Sequence, residues 1–309
     1  MKTIHFLFYD PCIINGGFYD NFEYYYILKK NLPDVNIKYI IISSHFKEDV
    51  IKLINDKYDD IDDFYIKDIE CIDYGTCPKI HKNPFYVDIL ICGTNTSLYY
   101  FLERGHLKLA KFYIGLADTD EINRKQLKLY KNGIILGDER VFRFDNIRWK
   151  PYRKKILFDK YKRKEFVSRY DYMLNLSLSQ RRFTKEFITR LTEKFPGSHV
   201  AYTGVKNIKY YSWLETESNI KLIVPPVKNF MDLFECFIYV PYEGGVDATP
   251  RLIPECKFYN KKLEFYTEWS EIKSGGYYRY KDTQDNFNGL FLKDDDEFIS
   301  HTKEILSNV

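Results

Sequence analysis

Two short stretches, Ile37-Lys38-Tyr39-Ile40-Ile41-Ile42-Ser43 and Val87-Asp88-Ile89-Leu90-Ile91-Cys92, are apolar with almost no alternation. A strand with one face in water alternates; one that does not has both faces covered, as in a parallel sheet flanked by helices. The surrounding sequence fits that frame. Strands are predicted at 4–9, 111–116 and 133–136, and helices at 18–31 (introduced by Gly16-Gly17), 48–57 and 97–104. Strands alternating with helices imply right-handed crossovers within one sheet.

The pattern restarts after residue 170. Strands are predicted at 172–178, 199–203, 220–224, 236–240 and 262–266. Helices are predicted at 185–194, 230–233, 249–258 and 297–306. Pro250 falls in the first turn of its helix, where proline is tolerated. Asp294-Asp295-Asp296 precedes the last helix, where the helix dipole favours carboxylates. Between the two halves, residues 150–164 hold eight basic residues and one acid. A chain of 309 residues suits two domains, each of about 150 residues. The expected architecture is therefore α/β: two Rossmann-like doubly wound domains facing a cleft. Their expected limits are 1–150 and 169–309, joined by a basic linker at 151–168.

Composition excludes several classes. A formal charge of +3 is close to balanced and does not itself argue for nucleic acid. The 28 Tyr and 24 Phe are not taken as a base-stacking signal. No apolar run reaches the roughly 18 residues a membrane span needs, and residues 1–10 read as a strand rather than a leader. The six cysteines form no CxxC pair, so a reducing, cytoplasmic setting is expected. The histidines show no ligand spacing, so no protein-bound metal and no permanently bound cofactor are expected. Neither a P-loop nor a G-x-S-x-G string occurs.

The most informative stretch is Ile238-Tyr239-Val240-Pro241-Tyr242-Glu243-Gly244-Gly245-Val246-Asp247-Ala248-Thr249-Pro250-Arg251-Leu252-Ile253-Pro254-Glu255. A strand runs into a Gly-Gly loop and then a helix. The helix N-terminus offers unpaired N–H groups suited to a diphosphate, and the Thr249 hydroxyl adds a donor. An acid before the helix can hold sugar hydroxyls, and Glu255, two turns on, can accept two bonds from a ribose diol. Upstream, Arg181, Arg182 and Lys185 cluster where a helix begins, against the dipole preference.

These residues resemble the donor half of retaining GT-B glycosyltransferases, whose mark is E-x7-E. Asp247-x7-Glu255 has that spacing, with Asp in the first place. The resemblance implies that Asp247 lies near the transferred sugar and Glu255 binds the ribose. It implies that Gly244, Gly245, Thr249 and Arg251 complete the donor site. Arg181 or Arg182 with Lys185 would neutralise the leaving diphosphate. The strand before Pro225-Pro226-Val227 is similar to the one whose loop meets the nucleotide base, which points to Pro226 and Val227. Gly16 and Gly17 would approach the donor phosphates from the N-terminal, acceptor-side domain, since glycine lets backbone N–H groups come close. Asp118 and Asp120 follow a strand and are candidates to orient or deprotonate the acceptor hydroxyl, or equally to cap a helix over 121–130. The His that the family often carries in this region is absent. Ser274-Gly275-Gly276 with Arg279 reads as a second loop able to meet phosphate, or as a solvated loop.

The expected donor is thus a nucleoside diphosphate sugar, UDP-linked for preference. Lys150, Arg153, Lys154, Lys155, Lys162 and Arg163 are either a solvated linker or a contact for a phosphate backbone. Small GT-B enzymes of bacteriophages glucosylate hydroxymethylated pyrimidines in DNA, and the chain resembles them in size and composition. That resemblance makes double-stranded DNA the leading single acceptor, beside glycan, lipid and protein acceptors. Two other readings stand: a catalytically silent binding module with the same fold, and a sugar-nucleotide epimerase.

Overall fold

The computed structural model describes residues 1–9, 16–44, 46–73, 87–92, 110–117, 133–137, 149–151, 156–176, 183–204, 207–224, 227, 230–240, 251–266, 268 and 295–309. They fall into two compact units, Met1–Lys162 with Asn288–Val309, and Arg163–Phe287.

The first unit is built on β1 (Thr3–Tyr9), α1 (Gly16–Asn31), β2 (Asn36–Ser43), α2 (Lys47–Lys57), α3 (Asp63–Ile66), β3 (Ile69–Asp73), β4 (Val87–Cys92), β5 (Ala110–Ala117), β6 (Gly133–Gly137) and β7 (Trp149–Pro151). The strands form one parallel sheet in the order β3-β2-β1-β4-β5-β6-β7. The chain therefore grows outward from β1 on one side, then returns to place β4 on the other side of β1. β2 and β4 are the two stretches lacking alternation, and both pair directly with β1 at the sheet centre, where most of their side chains on both faces are buried.

Tyrosine and phenylalanine fill the layer between this sheet and α1. Phe18 meets Phe8 edge-on at 5.8 Å and stacks on Tyr39 at 5.9 Å, and Tyr25 meets Phe6 at 6.1 Å. Buried tyrosines need partners for their hydroxyls. Tyr39 donates to the Phe18 carbonyl at 3.0 Å and Tyr25 to that of Tyr65 at 2.7 Å.

The second unit comprises β8 (Tyr170–Asn175), α4 (Lys185–Lys194), β9 (His199–Tyr202), α5 (Ile208–Tyr211), α6 (Trp213–Glu217), β10 (Lys221–Ile223), a 3-10 turn (Phe230–Leu233), β11 (Phe234–Tyr239), α7 (Leu252–Phe258) and β12 (Lys262–Phe265). Its parallel sheet has the order β10-β9-β8-β11-β12. α4 begins because Thr184 caps it, its hydroxyl accepting from the Phe187 N–H at 3.2 Å. Phe187, Ile188 and Leu191 then turn one stripe onto the core around Leu174 and Ile238. Asn260, at φ 55°, takes the left-handed conformation that ends α7 and turns the chain into β12.

The last helix, α8 (Asp295–Asn308), belongs to the first unit. Phe298, fully buried, packs on Tyr24 of α1 with ring centroids 5.3 Å apart. This differs from a C-terminal domain running to residue 309. The other limit differs too. Trp149–Pro151 is the edge strand of the first sheet, and residues 156–162 are tied to the same unit. Tyr161 bridges Tyr58, and the Lys162 N–H donates to the Lys57 carbonyl at 3.0 Å. The helix expected at 97–104 lies outside the described residues. Among the described residues no helix is long and apolar enough to cross a membrane, and no group of His, Cys, Asp or Glu gathers to hold a metal. Cys71, Cys92, Cys236 and Cys256 are free thiols.

Candidate functional site

Both sheets have the same reversal. In the first it falls between β1 and β4, in the second between β8 and β11. Chain leaving two adjacent strands in opposite directions opens a crevice at their carboxyl ends, where ligands of doubly wound sheets bind. The helices that begin there are α1 after β1, α4 after β8 and α7 after β11. Most of the donor-site residues singled out in the sequence follow these three strands.

In the second unit, β8 and β11 run side by side with Leu174 opposite Ile238. At the head of α7, the Arg251 Nε donates to Glu255 Oε1 at 2.6 Å. The two residues are only 7% and 8% exposed. An i,i+4 spacing sets their side chains on one helix face. Pro254 costs no hydrogen bond, because N–H groups of a first turn have no acceptor within the helix. A charged pair this deep is costly to desolvate and adds little net stability. The arrangement thus holds an oriented carboxylate at the sheet's ligand edge. Arg251 and Glu255, assigned separately from the sequence, act here as one element.

Lys185 opens α4 on the neighbouring strand. Its ammonium pairs with Glu217 at 2.5 Å and lies over the Trp213 ring at 5.5 Å, half exposed. Val227 is half-buried beyond β10. Arg181, Arg182, Pro226, Gly244, Gly245, Asp247, Thr249 and Arg279 lie outside the described residues.

In the first unit, Gly16 and Gly17 form the start of α1. Asp118 and Asp120 lie outside the described residues, as do Arg153, Lys154 and Lys155. Lys150 is in edge strand β7. The Lys162 ammonium donates to the Asn55 carbonyl, and the Arg163 guanidinium lies over Phe258 at 5.6 Å. Both are thus engaged with the protein.

Two polar residues at these edges were not singled out in the sequence. Thr203, just past β9, is fully buried with its hydroxyl oxygen unpaired. At Gly204 beside it, an added Cβ would meet nothing within 4 Å. Asn21, in the second turn of α1, is 1% exposed and neither atom of its amide has a partner. The one sequence signal at Asn21 is a neutral polar residue four places after Gly17 in a helix otherwise rich in aromatics.

No protein-family model matches the sequence, and no curated protein matches it. Among solved structures, HepE from Anabaena, determined in complex with UDP and glucose, is similar to the chain in fold. The TM-score is 0.55 with 10% identity, covering 100% of both chains. A glycosyltransferase from Rickettsia africae aligns at a TM-score of 0.44 with 12% identity, over 99% of this chain and 88% of that one. MurG from Acinetobacter baumannii aligns at 0.36 with 8% identity, over 88% and 80%. The last two scores are too low to bear on the fold. The two parallel sheets and the full-length likeness at 0.55 give the chain a GT-B-like fold.

Proposed function

We propose that the chain is a glycosyltransferase that moves a sugar from a UDP-sugar to an acceptor hydroxyl. The observation that carries this reading is the buried Arg251–Glu255 pair at the head of α7, the helix that follows a strand at the second sheet's reversal. In this reading Glu255 accepts two hydrogen bonds from a ribose diol. The full-length likeness in fold to HepE, solved with UDP and glucose, supports the same donor class.

In this reading the bond from the anomeric carbon to the diphosphate oxygen breaks as the acceptor oxygen bonds to that carbon. UDP leaves with the electron pair, and the acceptor proton passes to the departing diphosphate. No protein nucleophile is needed if configuration is retained. Asp247 lies by the transferred sugar, while Arg181 or Arg182 with Lys185 offsets the charge that develops on the diphosphate. Asp118 and Asp120 serve the acceptor. The basic stretch 150–164 makes hydroxymethylated pyrimidine in DNA the first acceptor to try, with glycan, lipid and protein hydroxyls next.

The test incubates the whole chain with UDP-, dTDP-, ADP- and GDP-sugars and follows nucleotide release. Mass spectrometry then reads hydroxymethylcytosine and hydroxymethyluracil DNA added to the mixture. Release of UDP with a glycoside as product is expected. A free epimer as product would make the chain an epimerase. Silence with every nucleotide sugar, together with DNA binding, would make it a binding module.

A further inference from the structure

Lys185 opens α4, and Glu217 closes α6. Each charge stands at the helix end where the dipole disfavours it, so neither helix accounts for its own charge. The start of α4 is fixed without Lys185, because the Thr184 hydroxyl accepts from the Phe187 N–H. The two charges instead meet each other. The Lys185 ammonium donates to Glu217 Oε2 at 2.5 Å, with both side chains half exposed.

Trp213 forms the floor of this contact. It stands four residues before Glu217, on the same face of α6. Its indole N–H donates to the Tyr210 carbonyl at 3.0 Å, and its ring packs against the core of the second unit. The ring is thereby fixed, and the Lys185 ammonium lies 5.5 Å from its centre. A neighbouring pair on α6 is built differently. Glu215 Oε1 accepts from the Lys221 ammonium at 2.6 Å and also from the Leu222 backbone N–H at 3.2 Å. Glu215 therefore braces the edge strand β10, whereas Glu217 meets an ammonium that can pivot on a flexible stem.

We propose that Glu217 is an autoinhibitory counter-ion of the donor site, holding the Lys185 ammonium until a diphosphate displaces it. The proposal rests on the glycosyl-transfer reading, in which Lys185 faces the diphosphate, and adds a residue that regulates the same site. The exchange follows from charge. An exposed ion pair contributes little and opens readily. A diphosphate brings more than one negative charge to the same ammonium, and charge-assisted bonds to phosphate are of the stronger kind. The Trp213 ring attracts the cation whichever anion it faces, so Lys185 changes partner without leaving its place. Glu217 thus sets the affinity, because the diphosphate competes with a carboxylate carried by the chain itself.

The experiment measures by calorimetry the affinity of the whole chain for UDP, ADP, GDP and dTDP. It then follows the diphosphate bound best in Glu217→Gln, Glu215→Gln, Lys185→Met and the double variant Lys185→Met with Glu217→Gln. Thermal unfolding checks that each variant is folded. Glu217→Gln is expected to bind the diphosphate about two- to fivefold more tightly, the scale of an exposed ion pair. Glu215→Gln removes the same charge from the same helix, but from Lys221, and should change the affinity less. In the Lys185→Met background the gain from Glu217→Gln should vanish, since the carboxylate then has no ammonium to release. Unchanged or weaker binding by Glu217→Gln overturns the proposal. An equal or larger gain from Glu215→Gln does so too, because the effect would be one of net charge, as does a gain that survives Lys185→Met. Each of these outcomes leaves the glycosyl-transfer reading intact. An unaltered chain that binds none of the four diphosphates fails that reading itself.

Discussion

The two reversal points share a topology and differ in chemistry. After β11, α7 begins with a buried charged pair, Arg251 and Glu255. After β1, α1 begins with two glycines and carries a neutral amide with no partner. Its one fully buried carboxylate, Glu23, accepts from the hydroxyls of Tyr58 and Tyr161, outside the helix. The same strand order thus leaves the chemistry of each edge to its side chains: a fixed charged pair in one unit and an unpaired neutral amide in the other.

The comparison is most exposed at Glu255. Glu255→Ala strips a buried guanidinium of its carboxylate, a cost of about 3–5 kcal/mol to stability. It should also lower UDP affinity roughly a hundredfold by removing two ribose hydrogen bonds. Urea denaturation and calorimetry separate the effects. A loss of stability with unchanged UDP affinity would reduce the pair to packing.

A second contrast lies in the buried histidines of the two units. Burial, aided by Lys38, holds His5 down at about 4, against 6.5 when unfolded. Burial also lowers His199, opposed by the Gly197 carbonyl and Asp171. A histidine kept neutral by the fold binds fewer protons there than in the unfolded chain. Its contribution is intact above pH 6.5 and is lost as pH falls toward 4. For His5 the loss amounts to about 3 kcal/mol. Hydrogen exchange should therefore show the first unit weakening more than the second between pH 6.5 and 4.5. His5→Leu should flatten that difference. Equal weakening of both units would remove the contrast.

Tyr58→Phe tests whether Glu23 is structural. Stability should fall by about 1–3 kcal/mol, the cost of a buried acceptor losing its donor, with UDP affinity unchanged. Lys185→Met gives the smallest effect on stability, under about 1 kcal/mol, because its pair with Glu217 is exposed. If Lys185 exchanges Glu217 for a diphosphate, UDP affinity drops by roughly three- to tenfold. No drop would confine Lys185 to its surface pair.

Much of this fold is legible along the chain. β4 and α4 keep the limits expected for them, 87–92 and 185–194. The limits of other strands shift by a residue or two, because pairing rather than composition ends them. β7 is hidden, since Trp149-Lys150-Pro151 is a short edge strand inside a basic run that reads as a linker. α5 and α6 are too short for a helical period to show. The return of α8 to the first unit rests on Phe298 meeting Tyr24, a long-range contact with no local signature. At the candidate site, spacing and context single out Glu255. Its partnership with Arg251 could be suspected from i,i+4 spacing, but its burial could not. The unpaired amide of Asn21 becomes visible only when its surroundings are known.

Hydrogen–deuterium exchange of the whole chain, with and without UDP, bears most directly on a nucleotide seated at the second sheet's ligand edge. Protection is expected in peptides covering residues 251–258 and the start of α4 at 183–187. No protection with saturating UDP, or protection confined to the opposite end of the strands around 170 and 199, would contradict it.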